Sequence, residues 1–136
     1  LALVILMLGT NDFQSMHPHN AWHASQGIQA LVSAIRTAPI EPGMPVPQIL
    51  VVVPPAITPP KGPIAPKFAG GEHKCVGLAE AYRQVCADMG CHYFDAATVT
   101  TSSSVDGVHL DADQHLTLGK ALSHVVETLL EPRAAQ

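Results

Sequence analysis

The feature that most constrains the fold is an uninterrupted apolar run over residues 2–8, which leads directly into Gly9-Thr10-Asn11-Asp12. A strand that is apolar at every position is typical of a parallel sheet, because helices cover both of its faces. Residues 49–53 are dense in β-branched side chains and predict a second buried strand. Residues 92–94 predict a short third strand that ends at Asp95. The chain is therefore expected to build a parallel sheet.

Helical patterns alternate with these strands. Asn20 is a suitable cap for a helix that runs to about Thr37, and a second helix is predicted over residues 72–89, ended by Gly90. A last helix begins at Asp111 or Asp113 and runs through Leu130. The apolar positions expected to face the sheet are Ile28, Leu31, Val32 and Ile35 in the first helix and Leu116, Leu122, Val125, Val126, Leu129 and Leu130 in the last. The order β-α-β-α-β-α predicts an α/β fold with a parallel sheet between two helical layers.

Polar residues follow the end of each predicted strand. Asn11 and Asp12 come after the first strand, Pro54 after the second, and Asp95 closes the third. Ligands in open α/β sheets bind beyond the carboxyl ends of the strands, and the loop over residues 96–110 opens onto the same edge. This convergence predicts a functional site there.

Composition excludes several other functions. Charged residues make up only 13% of the 136-residue chain, against about 25% in typical globular domains. A chain this apolar is expected to bury a face against another polypeptide or within a larger assembly. The formal net charge of −4 and the lack of a basic cluster argue against a nucleic-acid partner. The apolar run near the start is much shorter than the about 20 residues that span a bilayer, so no membrane partner is expected.

The cysteines and histidines predict neither a disulfide scaffold nor a metal site. Cys75, Cys86 and Cys91 are odd in number and form no Cys-x-x-Cys pair, which favours free thiols in a reducing compartment such as the cytoplasm. His17, His19 and His23 crowd one segment, but no set of cysteines or carboxylates completes a plausible site. No cofactor is therefore expected. Because the chain starts at Leu1 without Met, it is expected to be the downstream part of a longer polypeptide, so a targeting signal and the localisation remain open.

Two segments carry side chains suited to acid–base chemistry. Asp106 stands three residues before His109, so its carboxylate can accept a hydrogen bond from Nδ1–H and stabilise the imidazolium formed when Nε2 takes a proton. Asn11 offers an amide N–H to a developing negative charge at the end of a strand. Taken singly, a helix-capping Asp before a surface His is an equally ordinary interpretation of Asp106 and His109. For Asn11 alone, a turn residue after a strand is the more ordinary interpretation. Asp12 is expected to tie down the loop.

Taken together, these segments resemble the SGNH (GDSL-type) hydrolases, and most closely their arylesterase/acyltransferase branch. The resemblance extends over essentially the whole chain. The motifs that carry it, in chain order, are residues 5–12, Pro54-Pro55, the Gly-Gly-Glu-x-Lys turn at residues 70–74, Phe94-Asp95-Ala96 and Asp106-Gly107-Val108-His109. It implies a flavodoxin-like three-layer αβα fold with a Ser-His-Asp triad, in which His109 is the general base, Asp106 its orienting acid and Asn11 an oxyanion-hole donor. Residues 1–136 then form the C-terminal part of one such domain.

The chain departs from the family pattern because the Gly-Asp-Ser-Leu block with the nucleophilic serine is absent. The expectation is that an upstream segment of roughly 70–90 residues, or a separate chain, supplies it. Ser102, Ser103 and Ser104 lie close to His109 in sequence, but a loop this short rarely brings a hydroxyl to its Nε2. The fold is then incomplete in this chain.

The resemblance implies a serine carboxylic-ester hydrolase that acts on small esters through an acyl-enzyme, with acyltransferase or perhydrolase activity as a further expectation. Asp12, Phe13, Trp22 and Pro54 are expected to bind substrate, with Phe13 and Trp22 in a wall of the pocket or an oligomer contact. The Pro-rich loop over residues 54–66, together with Phe68, is expected to narrow the mouth of the active site by packing against a neighbouring subunit. A homo-oligomer is expected. The alternatives are a carbohydrate O-deacetylase or thioesterase of the same family, and a non-catalytic module that serves as a structural partner.

Overall fold

The sheet is parallel, as the apolar runs predict. The computed structural model describes residues 1–38 and 42–131. In this part of the chain, strands β1 (Leu3–Leu6), β2 (Gln48–Val53) and β3 (His92–Asp95) pair in the order β1-β2-β3. Both pairings are parallel, so the carboxyl ends of the three strands lie at one edge of the sheet.

Helices cover both faces of this sheet. They are α1 (Ala21–Thr37), α2 (Ala65–Phe68), α3 (Gly71–Lys74), α4 (Leu78–Met89) and α5 (Ala112–Leu130). Helices α1 and α4 share a core with one face, and α5 packs on the other face. The αβα sandwich is therefore confirmed. No helix in the described ranges combines the length and apolarity that a bilayer crossing would require.

Strand β2 is the centre of the core. Its side chains alternate between the two faces, and residues 49–53 are at most 3% exposed. Ile49, Val51 and Val53 join the core beneath α1 and α4, whereas Leu50 and Val52 join the core beneath α5. A strand buried on both faces explains why its sequence is continuously apolar rather than alternating.

Strand β1 differs from the prediction of a fully covered central strand. It pairs only with β2 within the described residues, and Ile5 and Leu8 are 44% and 52% exposed. Leu3 and Met7, on the same face of the sheet as Ile5, pack against the core beneath α5, whereas Ile5 is not part of that core. An apolar strand with one free edge is an unusual feature in a native sheet, since such edges tend to associate.

The helix boundaries agree with the predicted caps. Asn20 caps α1 by accepting the backbone N–H of His23, at 3.2 Å. Asp111, rather than Asp113, precedes α5, and the side chain of Gln114 accepts its N–H at 2.7 Å. Gly90 ends α4 in the left-handed conformation.

Three details of the helical prediction are wrong. The helix predicted over residues 72–89 is divided into α3 and α4, because Gly77 takes a φ of 85° between them. Leu31 on α1 is 39% exposed. On α5, Leu116 and Leu130 are 60% and 43% exposed and Leu118 is buried instead, because α5 contacts the sheet along a narrower stripe than its apolar residues span.

The end of β1 is held against α4. The hydroxyl of Tyr82, which is fully buried, donates a hydrogen bond of 2.9 Å to the carbonyl of Leu8. Gly9 follows with a φ of 129°, and a Cβ atom at this position would overlap the Tyr82 hydroxyl. Gly9 is therefore required both by its backbone conformation and by this contact.

Gly9→Ala is expected to lower the free energy of unfolding by about 2 kcal/mol or more, because the new methyl group must displace a buried side chain and φ is unfavourable. Gly119→Ala is the matched control. It lies within α5 with open space around it, and should raise stability by about 0.5–1 kcal/mol. Urea unfolding of the two variants measures both effects. Equal unfolding midpoints for Gly9→Ala and the parent protein would contradict this account.

Candidate active site

Asp106 and His109 form a closed turn after the Ser/Thr-rich segment. One carboxylate oxygen of Asp106 accepts the backbone N–H groups of Val108 and His109, at 2.8 and 3.0 Å. The other oxygen lies 2.6 Å from His109 Nδ1. Gly107 makes the turn possible with a φ of 81°. The three-residue spacing thus places the imidazole and the carboxylate in direct contact.

This contact changes the electrostatics of the carboxyl group. The hydrogen bond from the His109 side chain, followed by the backbone N–H of Val108, lowers the pKa of Asp106 to about 2, against the smaller opposing effect of burial. The His109 side chain is 63% exposed, whereas that of Asp106 is 23% exposed. With Nδ1 held by the carboxylate, Nε2 is the nitrogen left to exchange a proton with a ligand.

The loop that follows β2 holds this turn in place. The backbone N–H groups of Thr58 and Lys61 donate to the carbonyls of Gly107 and Asp106, each at 2.9 Å. A Cβ atom on Gly107 would lie 2.8 Å from the carbonyl oxygen of Thr58 and 2.9 Å from that of Pro59. The turn therefore has no room to shift toward the Pro-rich loop.

Ser103 closes the turn from the other side. Its hydroxyl donates to Asp111 at 2.7 Å and accepts the N–H of Val105 at 3.0 Å. Its backbone N–H donates to the carbonyl of His109 at 2.6 Å. Because the side chain is only 1% exposed, the hydroxyl acts as a structural tie.

Asn11 stands at the same edge of the sheet. It lies in a short 3₁₀ turn, Thr10–Phe13, that begins directly after Gly9. Because Gly9 is held against Tyr82, the start of this turn is fixed relative to α4. The side chain of Asn11 is exposed.

Asn11 and His109 line one hollow of about 290 Å³. Its remaining walls come from Thr10, Phe68, Val108, Leu110 and His115. An amide group, an imidazole with its carboxylate behind it, and a mixture of polar and apolar side chains are thus gathered in one place. Such an arrangement can bind a small polar group and move a proton to or from it.

None of the four residues predicted to bind substrate lines this hollow. Phe13 is buried in the core beneath α1 and α4. Trp22 is 60% exposed on α1, and Pro54 is buried beside a different cavity. Asp12 lines a groove along β1, and its Oδ1 atom lies 3.7 Å from His19 Nδ1.

Residues that the motifs did not single out complete the hollow instead. Phe68, expected with the Pro-rich loop at the mouth of the active site, comes from α2 and lines the hollow. Leu110 and His115 flank the start of α5, one on each side of its cap Asp111. Their proximity to His109 in sequence was the available signal.

No serine within the described ranges, which include every serine of the chain, lines the hollow. Five of the serine hydroxyls are hydrogen-bonded to other groups: Ser15 to the carbonyl of Pro66, Ser25 to that of Trp22, Ser102 to the hydroxyl of Thr58, Ser103 to Asp111 and Ser123 to the carbonyl of Lys120. Ser102 and Ser103 are buried away from the imidazole. Within the described residues, the hollow therefore gathers an imidazole and a carboxamide but no serine hydroxyl.

The histidines near α1 stack on one another. The ring centroids of His17 and His19 are 5.3 Å apart, and those of His19 and His23 are 5.4 Å apart. In the part of the chain that the structure describes, no group of three or more His, Cys, Asp or Glu side chains is arranged to hold a metal ion. Cys75, Cys86 and Cys91 are free thiols.

Comparison with known proteins identifies similar chains. The GDSL-like lipase/acylhydrolase family model matches residues 2–119. The aryl esterase of M. smegmatis superposes with a TM-score of 0.89 at 35% identity, covering 96% of this chain and 62% of that protein. A carbohydrate acetylesterase family member from Sinorhizobium meliloti gives 0.89 at 35%, with 97% and 63% covered.

A third solved structure, a putative arylesterase from Agrobacterium tumefaciens str. C58, gives a TM-score of 0.84 at 38% identity and covers 96% of this chain and 62% of that protein. The chain thus spans less than two thirds of each neighbour's length. A comparison with curated protein sequences found no match.

The Asp106 carboxyl is expected to titrate near pH 2, well below the ordinary value of 3.8. Because its pKa is lower in the folded state, the ionised group stabilises the fold above about pH 4, and this contribution is lost as the pH falls toward 2. Carbon-detected NMR titration measures the midpoint. In His109→Ala the midpoint should rise but stay below 3.8, since the N–H of Val108 remains. An unchanged midpoint in that variant would contradict the assigned cause.

Proposed function

The chain belongs to the GDSL-like lipase/acylhydrolase family, and we propose that it supplies the general base, the orienting acid and an oxyanion-hole donor of a serine ester hydrolase. The observation that carries this proposal is the single hollow lined by both Asn11 and His109, with Asp106 2.6 Å behind the imidazole. The roles then follow from the chemistry of each group. No cofactor takes part in the reaction.

The first half of the reaction forms an acyl-enzyme. A serine hydroxyl attacks the ester carbonyl carbon while its proton passes to His109 Nε2, and Asp106 stabilises the resulting imidazolium. The carbonyl oxygen becomes an oxyanion and accepts the amide N–H of Asn11. Collapse of this intermediate breaks the bond to the alkoxide, which takes the proton from Nε2. The second half repeats these steps with water as nucleophile and releases the acid.

The serine comes from outside these residues, either from an upstream segment of the same polypeptide or from a separate chain. Support comes from the free edge of β1 and from a groove of about 480 Å³ beside it, lined by Leu8, Ile28 and Leu31 among others. A further parallel strand would pair with β1, cover this apolar surface and end at the edge where the hollow lies. This chain covers only 62–63% of the length of these two neighbours, and an upstream segment would account for the remainder.

The substrates are esters with small acyl groups. The hollow of about 290 Å³ is at the lower end of the range for ligand sites, and its apolar walls include Phe68 and Leu110. Aryl acetates and O-acetylated sugars are the two substrate types to compare, since an aryl esterase and a carbohydrate acetylesterase family member are among the structural neighbours. A channel narrowed by a neighbouring subunit would support acyl transfer to alcohols, because it would keep water away from the acyl-enzyme. The ratio of transesterified to hydrolysed product measures that preference, and a ratio set only by the alcohol concentration would contradict it.

A fluorophosphonate probe tests the proposal. The probe bonds through phosphorus to an activated serine oxygen and loses fluoride. Applied to the protein as purified from its natural source, it should label one serine on a peptide outside these 136 residues. His109→Ala should slow labelling by about 10²- to 10⁴-fold, because the general base is lost. His124→Ala, an exposed histidine on α5, is the matched control and should label at the parent rate.

Two outcomes would overturn the proposal. Labelling of Ser102, Ser103 or Ser104 would show that the nucleophile is within the chain. If no serine in the complete assembly reacts, the non-catalytic alternative is correct, and the chain serves as a structural partner. Peptide mapping of the labelled protein by mass spectrometry separates these cases.

A further inference from the structure

We propose that Gln14 is a positioning residue that determines which end of the Asn11 side-chain amide faces the hollow. This inference rests on the proposed function, in which Asn11 donates to the oxyanion. Gln14 Nε2 donates a hydrogen bond of 3.0 Å to Asn11 Oδ1. Gln14 is only 9% exposed, whereas Asn11 is exposed.

The orientation of this amide matters because its two ends are chemically opposite. The nitrogen of a carboxamide donates and the oxygen accepts, yet the two are nearly the same size, so packing alone selects poorly between them. An oxygen turned toward the oxyanion would repel it. By binding Oδ1, Gln14 leaves Nδ2 as the free end, and no hydrogen bond among the described residues occupies that nitrogen.

Gln14 can impose this orientation because its own position is fixed from elsewhere in the fold. Lys74 Nζ donates to the carbonyls of Gln14 and His17, at 3.0 and 2.8 Å. The N–H of Ser15 donates to the carbonyl of Lys67 at 2.8 Å. These bonds tie the backbone of residues 14–17 to α2 and α3, so the position of residue 14 does not depend on Asn11 alone.

The spacing of the two residues also suits the contact. Asn11 lies in the 3₁₀ turn Thr10–Phe13 and Gln14 follows its last residue. In a 3₁₀ turn, side chains three positions apart lie on the same side. The backbone N–H of Gln14 donates to the carbonyl of Asn11 at 3.4 Å. Backbone and side chain of Gln14 therefore both engage Asn11.

The decisive test changes whether the side chain at position 14 donates or accepts a hydrogen bond. It uses the complete enzyme, including the polypeptide that carries the nucleophile. In Gln14→Glu the carboxylate can only accept, so it should bind Asn11 Nδ2 and turn Oδ1 toward the hollow. Its kcat should fall by about 10²- to 10³-fold, as for loss of an oxyanion donor, with little change in KM. Gln14→Lys can only donate, and should keep kcat within about tenfold of the parent.

The same substitution made in the Asn11→Ala protein distinguishes a positioning role of Gln14 from a purely structural one. In Asn11→Ala there is no amide to orient, so adding Gln14→Glu should lower kcat no further. Gln14→Met introduces no charge and serves as the folding control. Its kcat should lie between those of the Gln14→Glu and Gln14→Lys variants. Equal losses for the Glu and Lys variants, or the same additional loss in the Asn11→Ala background, would overturn the inference. An inactive parent enzyme, or full activity in Asn11→Ala and His109→Ala, would instead overturn the proposed function.

Discussion

The parallel pairing of β1, β2 and β3 is the constraint on which the site depends. Parallel strands bring their carboxyl ends to one edge, so the segments that follow them meet although they are far apart in the chain. Asn11 follows β1, the loop that braces Gly107 follows β2, and the turn with Asp106 and His109 comes after β3. An antiparallel arrangement would send alternate segments to opposite edges and separate these groups.

Two tight glycine contacts convert this general placement into a defined geometry. Gly9 lies against the buried hydroxyl of Tyr82, and Gly107 lies against the carbonyls of Thr58 and Pro59. Both take positive φ values, and neither has room for a side chain. The amide and the imidazole are thus each carried on a turn whose start is held by packing. This matters for chemistry because displacement of a reacting group by about 1 Å can cost orders of magnitude in rate.

The sequence was sufficient to predict the parallel αβα fold, since continuous apolar strands and helical crossovers leave few other arrangements. It also predicted the contact of Asp106 with His109, because three residues and a glycine confine the two side chains to one turn. It placed Phe68 near the site but did not predict Leu110 and His115 as walls of the hollow. Phe13 follows Asn11 by two residues yet points into the core, while Phe68 arrives from α2. Such directions depend on how whole loops pack, which local patterns do not encode.

The central claim is that Asn11 and His109 act on the same bound ester. A crystal structure of the complete protein after reaction with a phosphonate ester tests it most directly. The account predicts phosphorus bonded to a serine oxygen inside the hollow, with a phosphoryl oxygen about 2.7–3.1 Å from Asn11 Nδ2 and His109 Nε2 beside the serine oxygen. An adduct formed elsewhere, or Asn11 turned away from the phosphoryl oxygen, would contradict it.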